Sequence, residues 1–137
     1  MAPSLTGSCG CGAIRFDVTA PFVSAAYCHC ARCQRRTGTA AAASGRAHPG
    51  SVRILSGETE LRSWAPENGF EKVFCGLCGS ALFGRPPGAS DYVTVRLGAI
   101  DGDPGIRPQW HQYVAYAATW ESLPDDGLPR HPEAAPG

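Results

Sequence analysis

A small, β-dominated domain that is stapled rather than amply packed is the fold class this sequence predicts, and three observations predict it. Large apolar residues are few: alanine supplies 20 of the hydrophobic positions, and Leu, Ile, Val and Phe together number only 24 of 137. The segments that alternate or run β-rich are short and bounded by Gly and Pro clusters. Seven cysteines fall into three tight groups. A core this lean needs help from a covalent or metallic staple, and the cysteines are the residues that can supply one.

Taken in order, the strand segments are AIRFDV (13–18), SVRILSG (51–57), TELRSW (59–64), EKVFC (71–75), ALFG (81–84), DYVTVRLGAI (91–100) and QWHQYVAY (109–116). HPGS, SGET, APENG, RPPGAS and DGDPG separate them and read as turns. At most one or two short helical turns are expected, one of them in CARCQRRTG (30–38). The chain divides into a domain over 1–124 and a Pro-rich tail over 125–137, with three prolines and little that could pack. Trp64, Trp110 and Trp120 are expected in the core or on a pocket wall. GRPPG (84–88) is a turn with no G-K-[ST] after it, and GAIDGDPG has too few carboxylates for a calcium loop.

Twelve Lys+Arg balance twelve Asp+Glu, so no net field invites nucleic acid or an anionic membrane. The N-terminal MAPSLTGSCG lacks the basic and apolar regions of a signal peptide, and the most apolar small-residue run, TAAAASG (39–45), is far short of a span. A cytoplasmic, reduced protein is the expectation, and there clustered cysteines hold metal more often than each other.

The clusters are Cys9-x-Cys11, Cys28-x-Cys30-x-x-Cys33 and Cys75-x-x-Cys78. In an extended strand residues i and i+2 share a face, so SCGCG can present two sulfurs to one ion. CGLCGS, with glycine after each cysteine, suits a knuckle that turns tightly around a metal. Seven thiolates divide most economically into four (Cys9, Cys11, Cys75, Cys78) and three (Cys28, Cys30, Cys33). Spacing also permits a ribbon of Cys30, Cys33, Cys75 and Cys78, with Cys9, Cys11 and Cys28 left over.

GSCGCGAIRF, CHCARCQRRTG and FCGLCGSALF, in that order, together with RPQWHQYVAYAATWESLPDDGLP, resemble the glutathione-dependent formaldehyde-activating enzyme family, whose domain also occurs in centromere protein V. The resemblance runs from about Gly7 to Pro129. It implies a β fold of tent-like sheets with two zinc ions per chain. One is structural, on Cys9, Cys11, Cys75 and Cys78; the other sits on Cys28, Cys30 and Cys33 with an open position. The implied activity is a carbon–sulfur lyase chemistry that joins glutathione to formaldehyde as S-(hydroxymethyl)glutathione, so the expected partners are a small thiol and an aldehyde.

An open three-cysteine zinc suits that reaction, because coordination keeps an incoming thiol deprotonated at neutral pH beside the aldehyde carbon. Arg32, Arg35 and Arg36 are candidates to offset thiolate charge or to hold glutathione carboxylates; the plainer reading is a solvated basic face. His111, in Pro-x-x-His, is the candidate for proton transfer, with a hydrogen-bonded structural histidine as its alternative. His29 should point away from the metal that its neighbours bind, while His48 and His131 support no site. The competing functional reading is a non-catalytic zinc-stabilised binding module. Methionine sulfoxide reduction would need a redox cysteine outside the clusters, and none follows Cys78.

Overall fold

The computed structural model describes residues 4–136; residues 1–3 and 137, the outer ends of the expected domain and tail, lie outside the described residues. Strands dominate. β1 (Leu5–Ser8), β2 (Arg15–Val18), β3 (Ser24–Cys28), α1 (Ala31–Thr37), β4 (Ala42–Arg46), β5 (Val52–Ser56), β6 (Leu61–Trp64), β7 (Glu71–Cys75), β8 (Ala81–Arg85), β9 (Thr94–Arg96) and β10 (His111–Gln112) follow in chain order. They form a three-stranded sheet, β1-β2-β5, and a seven-stranded sheet, β10-β3-β4-β9-β8-β7-β6. All pairings are antiparallel except β10 on β3. Among the described residues no helix is long and apolar enough to cross a membrane.

The core lies between the sheets. Ile14, Phe16 and Val18 from the small sheet meet Val73, Leu82, Phe83 and Val95 of the large one. Burying each such side chain stabilises the fold by about 1.5–3 kcal/mol. Phe16 and Phe83 pack edge to face with centroids 4.9 Å apart. Gly45 is required on β4 because a Cβ there would stand 2.8 Å from the Phe22 ring.

Three strands escape the sequence pattern. The run 39–45, poor in β-formers, contains most of β4, an interior strand with five registered partners on β3 and three on β9. Pairing on both edges overrides low propensity here. β3, equally alanine-rich, is paired on both edges in the same way, while β1 is a short edge strand held by β2 alone. The expected strand 91–100 is strand only at Thr94–Arg96 and then coils through a 3-10 turn at Leu97–Ala99. The segment 109–116 likewise keeps only His111–Gln112 before Tyr113 turns left-handed at φ 57°.

Two tryptophans also depart from expectation. Trp64 and Trp120 are exposed, at 47% and 72%; a core this small is filled by Phe and aliphatic side chains. The Pro-rich segment after 124, whose composition reads as loose, is tied to the strand before it. His111 N–H donates to the Pro129 carbonyl, His131 N–H to the His111 carbonyl, and Tyr113 N–H to the Glu133 carbonyl, at 2.8–2.9 Å. Prolines lack a donor but keep their acceptor, so a proline-rich chain can still receive the N–H groups of an edge strand.

Candidate metal centres and the cavity beside them

Cys9 and Cys11 sit in the turn joining β1 to β2, not in an extended strand. Gly12 N–H donates to the Cys9 carbonyl at 3.1 Å, and Ile14 N–H reaches Cys9 Sγ at 3.3 Å. The expectation of a strand face is corrected, yet the turn converges the two sulfurs to 3.6 Å. Cys75 ends β7, where the register shifts between Val73 and Phe74. Gly79, at φ 79°, closes the knuckle with its N–H on the Cys75 carbonyl at 2.8 Å. Cys11 Sγ stands 3.9 Å from Cys75 Sγ, and the four sulfurs of Cys9, Cys11, Cys75 and Cys78 all lie within 4.8 Å of one another. A tetrahedron of zinc–sulfur bonds of ~2.3 Å has sulfur–sulfur edges of ~3.8 Å, so this donor set fits zinc.

Cys28, Cys30 and Cys33 form a separate group whose sulfurs also lie within 4.8 Å of one another. The ribbon partition is excluded, because Cys30 and Cys33 do not join Cys75 and Cys78. β3 delivers Cys28, and Cys30 caps α1, its Sγ accepting the Cys33 N–H at 3.3 Å. Gly38 in the left-handed region ends the helix after barely two turns. Interactions with Cys28 and then Cys33 pull the Cys30 thiol far down, while those with Cys28 and Cys30 push Cys33 up. Three sulfurs this close cannot all ionise unless a cation shares them, and a divalent ion would hold them together as thiolates.

Beside the three sulfurs a hydrogen-bonded chain runs from buried His29 and His111 to exposed Asp126. His29 Nε2 and His111 Nδ1 are 2.9 Å apart, and His111 Nε2 is 2.8 Å from Asp126 Oδ2. The bond from His111 lowers the Asp126 carboxyl below its ordinary value, helped by the Leu128 N–H. His29 points away from the sulfurs of its neighbours, as expected. His111 is only 2% exposed and does not line the cavity beside the cysteines. Its geometry is that of a buried, doubly hydrogen-bonded histidine, the alternative the sequence offers beside proton transfer.

That cavity, of about 880 Å³, opens on the large sheet's outer face. Small residues from neighbouring strands, including Ala26, Ala42, Ser44 and Gly84, floor it. Arg32, Arg46, Lys72 and Arg96 line it, and Asp and Glu are absent from its described lining. Of the arginines expected to act, Arg32 faces this cavity, Arg36 lies over the Phe74 ring and borders a second cavity, and Arg35 is exposed on α1. Arg46, Lys72 and Arg96 were not singled out from the sequence, because only strand register brings them to one face. Burial lowers the Lys72 ammonium; Cys33 acts to raise it, and Arg96, Arg32 and Arg36 to lower it further.

The family model of the glutathione-dependent formaldehyde-activating enzyme matches residues 4–116, which contain every one of these cysteines. The chain belongs to this family. A Halomonas elongata protein whose name provisionally assigns it the same enzyme is 30% identical over 105 residues, 72% of this chain and 67% of that protein. A crystal structure of a Rhodobacter sphaeroides protein shares the fold, with a TM-score of 0.54 at 23% identity over 92% of this chain and 98% of its own. Within the formaldehyde-activating family match lie both cysteine clusters and His111; Asp126, which holds His111, lies beyond it.

Proposed function

We propose that the protein joins glutathione to formaldehyde or a closely related aldehyde at the cluster of Cys28, Cys30 and Cys33, as a carbon–sulfur lyase-type enzyme. One observation carries the reading: three converging sulfurs, one fewer than a closed tetrahedral site, border an open cavity of about 880 Å³ with cationic walls and no described acid. Zinc on these cysteines, when bound, supplies a position at which an incoming thiol is kept as thiolate. Cys9, Cys11, Cys75 and Cys78 would hold a second zinc that is structural.

The chain's own residues then have definable tasks. Cys28, Cys30 and Cys33 fix the reacting end of the cavity. Arg32, next to Cys33 in sequence, lines the same cavity with its guanidinium beside Gly69 and adds positive potential there as the thiol ionises. The sulfur–carbon bond forms as the carbonyl π pair moves to oxygen, which takes up the proton the thiol released, through solvent at the open mouth. His111, held by Asp126, keeps His29 and therefore its flanking cysteines in place, a positioning role. Isothermal titration tests the reading. Glutathione should bind the zinc-loaded protein markedly more tightly than S-methylglutathione, which cannot ionise at sulfur; equal affinities would overturn it.

A further inference from the structure

The register of the large sheet places its unpaired cations at graded distances from the cysteines. One cross-strand row runs Ser24, Arg46, Thr94, Gly84, Lys72. Another runs Ala26, Ser44, Arg96. Cys28 lies two residues beyond Ala26 on β3, so the Arg96 row stands roughly 7 Å along the strand from the Cys28 row and the row of Arg46 and Lys72 roughly 13 Å; the Lys72 ammonium nevertheless feels the charge of Cys33 on α1, which leaves Arg46 as the cation of that row remote from the sulfurs. Arg46 and Lys72 face each other across two intervening strands, about 14 Å apart at their Cα atoms. Between them the floor is Thr94 and Gly84, and a Cβ on Gly84 would meet Thr94 Oγ1.

These cations are held but not neutralised. Arg96 Nη1 donates to Ser44 Oγ at 2.9 Å, and Arg46 lies over the Phe70 ring at 5.8 Å. Among the described residues, none of Arg32, Arg46, Lys72 and Arg96 stands in a salt bridge. A metal on three thiolates would carry about one net negative charge, fewer than the four cations that line the cavity. Positive groups gathered on one concave face without acidic partners are stabilised by an anion placed among them.

We propose that Arg96, Arg46 and Lys72 are the specificity-determining residues for the thiol, reading two carboxylates at different distances from its sulfur. This rests on the thiol site proposed above. Arg96 and Lys72 take a carboxylate on the side nearer the sulfurs, and Arg46 takes one at the far end. An elongated, peptide-like thiol with two carboxylates fills the trough; a short thiol with one carboxylate reaches only Arg96 and Lys72. The expected side chains on α1 contribute through Arg32 alone.

Titration of the zinc-loaded, full-length protein with glutathione and with glutathione diethyl ester, whose carboxylates are masked, tests this assignment. Wild type should bind glutathione on the order of tenfold or more tightly than the ester. Arg46→Gln and Lys72→Gln together should weaken glutathione by a similar factor or more, as expected for lost charge-assisted bonds, and leave the ester unchanged. Lys72→Arg should retain glutathione binding. Equal wild-type affinity for the two ligands, or a variant that weakens both alike, overturns the assignment while the thiol site stands. A wild-type protein that binds neither ligand overturns the thiol site and this assignment together.

Discussion

Cys11 Sγ and Cys75 Sγ stand 3.9 Å apart although 64 residues separate them. The contact joins the first turn of the small sheet to the end of β7 in the large one. Cys9 and Cys75 are themselves buried in the core, so a metal on this cluster would tie the two sheets together.

Stability should therefore depend on that cluster. A structural zinc contributes on the order of 10 kcal/mol to a small domain. Cys75→Ser and Cys9→Ser should each yield insoluble or molten protein, judged by near-UV circular dichroism and thermal melting. A variant that melts like wild type would contradict the structural role.

The second cluster should be separable from folding. Cys33→Ser should lower bound zinc from about two per chain to about one, as expected when one of two independent sites is lost, and keep the melting transition. Metal analysis on the purified variant, beside its thermal melt, checks both halves.

Asp17 should make part of the stability acid-sensitive. Its carboxylate receives Arg53 Nε and Nη2 at 2.9 and 2.7 Å. The hydrogen bonds from Arg53 hold its carboxyl below the ordinary value, against burial. A lowered folded value means stability that is present above the unfolded carboxylate range of about 3.9 and lost as pH falls through the folded value. Because Arg53 is largely exposed, Asp17→Asn should cost only about 1 kcal/mol at neutral pH. The gap between wild type and variant should narrow as pH falls through the lowered folded value of Asp17; a gap that stays constant over the whole acid limb would show that the ion pair is not its source.

The C-terminal segment should behave as part of the domain. Truncation after Pro124 removes Asp126 and the acceptors at Pro129, His131 and Glu133. It should lower the melting temperature and speed amide exchange at His111 and Tyr113. Unchanged exchange at these two amides would contradict the role assigned to the segment.

What could be read before the fold was known follows a physical division. Cysteine spacing is local, and a matched family pattern fixed the four-plus-three division that the sulfurs display. β7 and β8 were legible because Val73-Phe74 and Leu82-Phe83 form short β-rich runs with turn residues beside them. β4 was not, since Ala, Ser and Gly carry little strand preference and are there to floor a cavity. The cysteines of the first turn converge through turn geometry that C-x-C alone does not specify. Arg46, Lys72 and Arg96 become neighbours only through strand register, and Asp126 reaches His111 across a loop that composition marks as disordered.

The exchange of formaldehyde with glutathione tests the central claim most directly. The two combine without a catalyst, so the measure is acceleration above that background, followed by NMR exchange spectroscopy with wild type and Cys33→Ser side by side. The account predicts faster hemithioacetal exchange with wild type and background exchange with the variant. Equal rates for the two proteins would contradict it and favour a zinc-stabilised binding module.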